Sequence, residues 1–457
     1  LHKAGIGVIL DVVYNHTAIT DTFEDIVPYY YYRRNPDGSF TSGSGCGNDT
    51  ASERSMFRKL MIDSATYWVE EFHVDGFRFD LQGLHDRETM QQLAAAVRAI
   101  NPSINLHGEG WDMGTLLVDQ RYTKFTGGGG WAAREMEHAI AHFSDGFRDG
   151  VIQPSAFDPW YRGGFVQRDG GDDEPRVRRG IVGNLSNDLY PSTSNVPIDS
   201  GDYNCFTDDP EEGVNYTNCH DGLTLRDKIW CSMANEPESE KIKAIQLASA
   251  MVLTSQGKVF FQGGDEILRS HPWPYSKLPS KAAPLPYSHN THDMGDDVNH
   301  FNWVDYNAKD ETTMQVFNYL RGLIALRKQH EAFRMETAAE IRAGLTFVPE
   351  KIDHFIAYRL QEQDGTDPWK DIYVFYNANP NAVTINIPGI NNSWNIVVDD
   401  QRAGVVRLNE ISNAKLDNDT ITVPGRSCVV IHAPKGRIIQ PQRRSFFWRF
   451  FREYFNR

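Results

Sequence analysis

The chain has 457 residues, enough to bury a large core and to form roughly three domains, or a large α/β barrel with a second unit. Hydrophobic residues make up 40% and charged residues 23%, which is ordinary globular usage and excludes disordered, collagen-like and coiled-coil classes. The net charge of −15 argues against nucleic-acid binding, since phosphate contacts need clustered Lys and Arg. No run of about 18 apolar residues is present, so no membrane-spanning helix is predicted.

The first two thirds of the chain alternate predicted strands with predicted helices. Nearly continuous apolar and β-branched runs predict six strands, at residues 8–14, 74–81, 104–108, 142–144, 214–216 and 259–261. Apolar residues at helical spacing predict helices over 52–72, from the second strand up to 100, and over 242–254. The alternation indicates βαβ units and a parallel sheet, which could be an open doubly wound sheet or an incomplete barrel.

After about residue 336 the pattern changes to short strand-like runs separated by Asn, Asp, Gly and Pro. They lie at 344–348, 355–360, 372–376, 383–387, 394–398 and 428–432, which predicts a small antiparallel β-sandwich. We therefore divide the chain into an α/β domain at 1–335, a β-sandwich domain at 336–434 and a basic, aromatic tail at 435–457. Such a tail is compatible with contact to an anionic membrane surface or a partner, with a helix packed on the body, or with a disordered end.

Two opposite charges share one face of the second predicted strand. Alternation along residues 75–81 directs Arg78 and Asp80 to one side and the apolar residues to the other. Charges on the inner face of a buried strand are costly unless they pair or serve a reaction. The pair is therefore either a structural ion pair or a carboxylate nucleophile or stabiliser with a positive charge beside it.

The third predicted strand ends at Glu109, which has a glycine on either side and is followed closely by Trp111. Glu109 and Asp80 follow neighbouring strands, so we expect them to meet at the carboxyl edge of the sheet. A Glu beside a Trp can be partly desolvated, which raises its pKa and suits a general acid. The alternative is a loop residue that caps the next helix.

Polar residues also lie at the first and fifth predicted strands: Asp11 within the first strand, Asn15 and His16 in the loop after it, and His220 and Asp221 in the loop after the fifth. Each histidine alone is more often structural than a metal ligand or an acid–base group. The HExxH, P-loop and GxSxG motifs are absent, which argues against metalloproteases, P-loop NTPases and serine hydrolases. Paired carboxylates after parallel strands instead suit glycoside hydrolysis.

Taken in order, residues 11–16, 76–80, 108–111 and 218–221 resemble the four signature regions of the α-amylase superfamily, glycoside hydrolase family 13. The stretches 47–54, 75–81, 108–113 and 253–257 are similar to type I pullulanases, the α-1,6 debranching enzymes of that superfamily. The resemblance implies a (β/α)8 TIM-type barrel with its site on the C-terminal face, followed by an antiparallel β domain. It also implies that the first two barrel strands are missing, so we expect an N-terminally truncated fragment.

The resemblance further implies a role for each candidate residue. Three carboxylates would carry the chemistry: Asp80 as nucleophile, Glu109 as acid/base and Asp221 as the group that binds sugar hydroxyls and stabilises the transition state. The other candidates would line or support the sugar subsite: Arg78, His16, His220, Trp111 as a stacking wall, Asp11 and Asn15. The implied reaction is retaining hydrolysis of α-1,6 branches in pullulan, limit dextrins, starch or glycogen.

The implied partner is an α-glucan polysaccharide or oligosaccharide. No organic cofactor and no required metal are implied, although calcium occurs in some relatives. Two alternatives remain open: an isoamylase-like or α-1,4-cutting member of the superfamily, and a non-catalytic glucan-binding remnant. Gln82 stands where the family usually has Met and Gly222 where it usually has Asn, which leaves sugar binding beyond the cleavage point open. The sequence predicts no particular compartment.

Overall fold

The computed structural model describes residues 1–124, 139–154, 160–169, 173–201, 204–271, 310–361 and 367–433. The predicted basic tail at 435–457 lies outside the described residues. Among the helices of the described part, none is long and apolar enough to cross a lipid bilayer.

Among the described residues, six parallel strands form one sheet whose spatial order is the chain order. They are β1 (Ile9–Val12), β2 (Gly76–Phe79), β3 (Asn105–Gly108), β4 (Ala141–Phe143), β5 (Gly213–Asn215) and β6 (Lys258–Val259). A doubly wound sheet reverses its strand order at a switch point, whereas a barrel wall runs in sequence. The observed order is that of a TIM-type barrel, which confirms the predicted fold class for this part of the chain.

Helices connect these strands and continue after them. In the described residues they are α1 (Asp21–Glu24), α2 (Ser55–Phe72), α3 (Arg87–Ile100), α4 (Asp145–Ile152), α5 (Glu174–Ile181), α6 (Leu225–Ser232), α7 (Glu238–Thr254), α8 (Glu311–Gln329) and α9 (Ala338–Gly344). Phe57 of α2 and Leu93 of α3 pack in one buried cluster with Phe77 and Phe79 of β2. Because the outward side of β2 is used for this core, the alternating residue Arg78 is directed inward.

In the part of the chain that the structure describes, eight antiparallel strands follow in two sheets. β7 (Leu345–Phe347), β8 (Phe355–Gln361), β9 (Asp371–Asn377), β11 (Asn395–Val398) and β14 (Ser427–His432) form a five-stranded sheet, while β10 (Val383–Asn386), β12 (Lys415–Asp417) and β13 (Thr420–Val423) form a three-stranded sheet. Phe375 of the first sheet and Ile421 of the second lie in one hydrophobic core, as in a β-sandwich. The antiparallel domain is therefore confirmed, with β12 and β13 as two strands that the sequence did not predict.

A separate hydrophobic core joins the five-stranded sheet to the barrel helices. Met251 of α7, Leu323 of α8 and Val430 of β14 belong to the same buried cluster. A hydrogen bond reinforces it, since the hydroxyl of Tyr358 donates to the carbonyl oxygen of Thr254 at 2.9 Å. This packing fixes α7, the helix that leads into β6, and so helps to place the carboxyl end of β6.

Candidate active site

The guanidinium of Arg78 binds carboxylates from three segments. Its Nη1 donates to Asp11 Oδ1 at 2.8 Å and to Asp80 Oδ1 at 2.9 Å, and its Nη2 lies 2.9 Å from Glu109 Oε1. Burial of all but 9% of the side chain lowers the pKa of Arg78, but Glu109, Asp11 and Asp80 outweigh this effect and raise it above its ordinary value. Arg78 and Asp80 thus form an ion pair, as the structural interpretation predicts. The same pair lies within the candidate site, so the structural and the catalytic interpretation do not exclude each other.

Asp80 is fixed by donors on both sides of its carboxylate. It follows β2 directly, and its N–H donates to the carbonyl oxygen of Val12 at 3.1 Å. The Asn15 Nδ2 donates to Asp80 Oδ2 at 2.9 Å and to the Asp80 carbonyl oxygen at 2.7 Å, while Arg78 binds Oδ1. Asn15 is itself 1% exposed, so it holds Asp80 from a rigid position. These contacts leave 19% of the Asp80 side chain exposed.

Glu109 is the most buried of the three predicted carboxylates, with 9% of its side chain exposed against 19% for Asp80 and 45% for Asp221. Burial raises the pKa of Glu109 above its ordinary value, and the charges of Asp80 and Asp221 add to this effect. Arg78 and a backbone N–H act in the opposite direction without reversing it. A carboxyl group with a raised pKa suits proton donation, as the sequence suggested.

That backbone N–H belongs to Leu81, the residue after Asp80. Leu81 has a φ of 39°, in the left-handed region that residues with a bulky side chain rarely adopt. In this conformation its N–H donates to Glu109 Oε2 at 2.9 Å. Conformations of this kind persist where the surrounding structure imposes them, often at functional sites. Here the strained residue connects the segment of Asp80 to the carboxylate of Glu109.

His220 and Asp221 lie on the more open side of the site. The Nε2 of His220 is 3.7 Å from Asp221 Oδ2, and both side chains are nearly half exposed. Asp221 lies near enough to Glu109 for its charge to raise the pKa of Glu109. His16 contacts the Asn15 side chain through its Nδ1. Because Asn15 binds Asp80, the first loop lies beside the segment of Asp80.

A cavity of about 250 Å³ opens beside Glu109. Its wall is formed by Ile9, Asp11, Arg78, His107, Glu109, Trp111, Phe143, Tyr216, Cys219, His220 and Phe260. Aromatic and apolar walls with a few placed polar groups are typical of sites for small ligands. Five predicted residues line this wall, whereas Asp80, Asp221, Asn15 and His16 do not and are linked to it by the contacts above.

The Trp111 ring is held by a residue that the sequence did not single out. The Nζ of Lys124 lies 5.1 Å from the centroid of the Trp111 ring, and its backbone N–H donates to the carbonyl oxygen of Gly110 at 2.9 Å. Lys124 is 1% exposed and forms an ion pair with Asp145. A desolvated cation over an indole ring is a favourable contact. No motif contains Lys124, so only the three-dimensional structure reveals its place.

A metal centre built from side chains is not found in the part of the chain that the structure describes. That part holds no group of three or more His, Cys, Asp or Glu residues able to bind a metal ion. Of the two predicted histidines, His16 contacts Asn15 and His220 lies beside Asp221. Calcium binding stays a prediction from the resemblance.

The chain is similar in sequence to pullulanases along most of its length. It is 35% identical over 390 residues to the pullulanase of Bacillus subtilis (strain 168), a match that covers 85% of this chain and 49% of that protein. Residues 341–402 match the family described as "Pullulanase, all-beta domain". The chain thus spans about half the length of this curated relative.

Solved structures show the same likeness. The pullulanase from Bacillus acidopullulyticus has a TM-score of 0.77 and 36% identity, covering 94% of this chain and 47% of that one. The pullulanase from Paenibacillus barengoltzii in complex with maltohexaose and α-cyclodextrin has a TM-score of 0.76 and 35% identity, covering 95% and 60%. The parallel α/β domain and the antiparallel domain after it are therefore those of this group of structures.

Proposed function

We propose, on the premise that this chain is a homologue of the pullulanases of glycoside hydrolase family 13, that its protein hydrolyses α-1,6-glucosidic branch linkages. The substrates would be pullulan, limit dextrins, starch or glycogen. The reaction would proceed by double displacement and retain the configuration of the anomeric carbon. A relative that was solved with maltohexaose supports an α-glucan as the ligand.

The observation that carries this proposal is the single guanidinium that joins Asp80 to Glu109. Retaining glycosidases need their two carboxyl groups about 5–5.5 Å apart, whereas inverting enzymes separate them by roughly 6.5–9.5 Å to admit a water molecule. Arg78 binds Asp80 through Nη1 and Glu109 through Nη2, which are neighbouring atoms of one group. One guanidinium thus holds the two carboxyl groups side by side, and we propose the shorter separation for them.

The unequal burial of the two carboxyl groups supports separate roles. In the first step, Glu109 gives its proton to the glycosidic oxygen while Asp80 attacks the anomeric carbon, so the bond to the leaving sugar breaks as a glycosyl ester forms. In the second step, Glu109 takes a proton from water, which attacks the same carbon and releases Asp80. The buried Glu109, with its raised pKa, suits the proton transfers. The more exposed Asp80, held by Asn15 and Arg78, suits the attack.

The other candidates would bind and orient the sugar. We assign Asp221 to the sugar hydroxyls and to the transition state, His16 and His220 to the walls of the subsite, and Trp111 to stacking on a sugar ring. Two residues would act through others: Asp11 through Arg78 and Asn15 through Asp80. Since the chain supplies acid, base and nucleophile, the mechanism requires no organic cofactor.

Product analysis on pullulan tests the linkage. The protein would be expressed with any polypeptide that its gene encodes before Leu1, and the products separated by chromatography. Release of maltotriose is expected, because pullulan consists of maltotriose units joined by α-1,6 bonds. Trisaccharides that keep an internal α-1,6 bond would instead identify α-1,4 cleavage. Binding of pullulan without any product would favour the glucan-binding alternative.

The pH dependence of kcat/KM is expected to report Glu109. Because Glu109 must be protonated to donate, and burial raises its pKa above 4.5, activity should persist above pH 4.5 and fall as Glu109 loses its proton. Rates measured from about pH 4 to pH 9 should show this alkaline decline in the parent protein, and Glu109→Gln should abolish it. An alkaline decline that is unchanged in Glu109→Gln would assign it to another group.

A further inference from the structure

A buried acid beyond the site contacts the loop that carries Asp221. Asp265 begins a 3-10 turn (Asp265–Ile267) after β6, and Asn218 follows β5. Since β5 and β6 are paired and parallel, their carboxyl ends lie side by side. Asp265 is 5% exposed and Asn218 is 1% exposed. The two side chains therefore meet inside the protein at the same edge as the candidate site.

The Asn218 side chain uses both of its N–H donors to bind the segment after β6. Its Nδ2 donates to Asp265 Oδ1 at 3.0 Å and to Gln262 Oε1 at 2.9 Å, and its Oδ1 accepts from the Thr217 hydroxyl at 3.0 Å. The two oxygens that accept from the Asn218 amide nitrogen both belong to the segment after β6. The start of the loop that leads to Asp221 is thus tied to the neighbouring strand by one side chain.

We propose that Asp265 is a positioning residue that, through Asn218, fixes the loop presenting His220 and Asp221 to the substrate. The inference rests on the proposed function and adds a residue to it. Asn218 lies two residues before His220 and three before Asp221, a span too short to absorb a displacement of its anchor. Misplacement of a reacting or binding group by about 1 Å can cost about 100-fold in rate.

The charge state of Asp265 makes a conservative variant available. Its Oδ2 has no hydrogen-bond partner among the residues that the structure describes. Burial raises the pKa of Asp265 to about 7, the charge of Glu266 adds to this, and the Asn218 bond and Arg269 oppose it. The side chain that contacts Asp265 from the segment after β5 is the Asn218 amide, which carries no charge. Asparagine therefore reproduces the neutral side chain and keeps an oxygen for Asn218, whereas leucine removes the acceptor at similar volume.

The first comparison sets Asp265→Leu against Asp265→Asn in the active protein. Asp265→Leu should lower kcat on pullulan by about 10- to 100-fold with little change in KM, because it frees the loop that carries Asp221. At pH 6, Asp265→Asn should stay within about threefold of the parent, since it retains the bond to Asn218. Glu266→Gln, in the same turn, is the matched control and should keep the parent rate. Equal losses in Asp265→Leu and Asp265→Asn would overturn the proposal.

The second comparison asks whether Asp265 acts through Asp221. In an Asp221→Asn background, Asp265→Leu should lower the remaining rate by less than about threefold, because the group it positions is already lost. If the double variant instead lost the product of the two single-variant factors in kcat, Asp265→Leu would act through a general effect on the fold, and the proposal would be overturned. If Asp265→Leu fails to fold, Asn218→Ala breaks the same contact and should show the same dependence on Asp221.

Failure of the proposed function gives a different result from failure of this inference. A parent protein that hydrolyses no α-glucan contradicts the proposed function. The same variants are then compared by calorimetric binding of maltohexaose. Weaker binding by Asp265→Leu than by Asp265→Asn would support the positioning role, provided that this difference disappears in the Asp221→Asn background. Equal affinity in all of them, or no binding by the parent, would overturn it.

The raised pKa of Asp265 also leads to a prediction for how the free energy of unfolding depends on pH. Its pKa is about 7 in the folded protein against an ordinary 3.8, so its contribution to stability is fully present below pH 3.8 and is lost as pH rises through about 7. Asp265→Asn does not ionise, so its melting temperature relative to the parent should be higher at pH 8 than at pH 5. A difference that is the same at both pH values would show that Asp265 does not titrate in this range.

Discussion

Asp80→Asn is expected to lower kcat on pullulan by about 10⁴-fold or more, a loss typical of removing a nucleophile. The reason is chemical, because an amide oxygen does not form the glycosyl ester. The fold should survive the change, since the new side chain can still accept from Asn15 and since Arg78 keeps Asp11 and Glu109 as partners. Initial rates, together with melting temperatures for both proteins, measure the effect.

Asp75→Asn is the matched control for this variant. Asp75 lies just before the amino end of β2, whereas Asp80 follows its carboxyl end. The half-exposed carboxylate of Asp75 accepts from the Val8 N–H and contacts His2. Its replacement should change kcat by less than about twofold, because the residue lies away from the reacting sugar. A rate in Asp80→Asn above about a tenth of the parent value would mean that Asp80 is not the nucleophile.

Glu109→Gln is expected to lower kcat on pullulan by about 10²- to 10⁴-fold, the range that general acid–base catalysis supplies. Glutamine cannot protonate the glycosidic oxygen, although it can still accept from the Leu81 N–H that now binds Glu109. The decrease in the rate of the first step should be much smaller on an α-glycosyl fluoride, because fluoride needs little protonation to leave. First-turnover rates on both substrates separate proton donation from other effects of the substitution.

Glu212→Gln provides the control for a buried glutamate. Glu212 lies just before the amino end of β5, and burial raises its pKa to about 7. Burial thus shifts its pKa in the same direction as that of Glu109, but Glu212 lies elsewhere in the fold. Its side chain accepts from the Asp208 and Asp209 N–H groups, which glutamine can also do. Activity should therefore stay near the parent value. If Glu109→Gln released fluoride in its first turnover as slowly as it cleaves pullulan, proton donation by Glu109 would be contradicted.

The parallel strands could be predicted from short apolar and β-branched stretches that alternate with helical patterns, and β2 and β5 are buried throughout. β2, predicted at 74–81, is found at Gly76–Phe79, and the other five strands overlap their predicted positions in the same way. β13 (Thr420–Val423) is a short β-branched run that was not recognised as a strand. β12 escaped prediction for the opposite reason. Lys415–Asp417 contains no apolar run, and its strand character comes from pairing with β13, which in turn pairs with β10 more than 30 residues earlier.

The site was partly predictable from strand geometry. Alternation placed Arg78 and Asp80 on one side of β2, and the order of the strands placed Glu109 beside them, as the ion pairs show. Nothing in the sequence indicated that Lys124 lies over Trp111 or that Asp265 binds Asn218. Those contacts join segments that are 13 and 47 residues apart, and they depend on how loops pack rather than on periodicity.

Trapping the glycosyl-enzyme tests the central claim, that Asp80 and Glu109 perform retaining hydrolysis, most directly. Glu109→Gln would be incubated with α-maltotriosyl fluoride, digested with a protease and examined by mass spectrometry. The fluoride leaves without strong acid assistance, but the general base for the second step is missing, so the intermediate should accumulate. We expect one maltotriosyl group on the peptide that contains Asp80. Turnover of the fluoride with no adduct, or an adduct on a different carboxylate, would contradict the account.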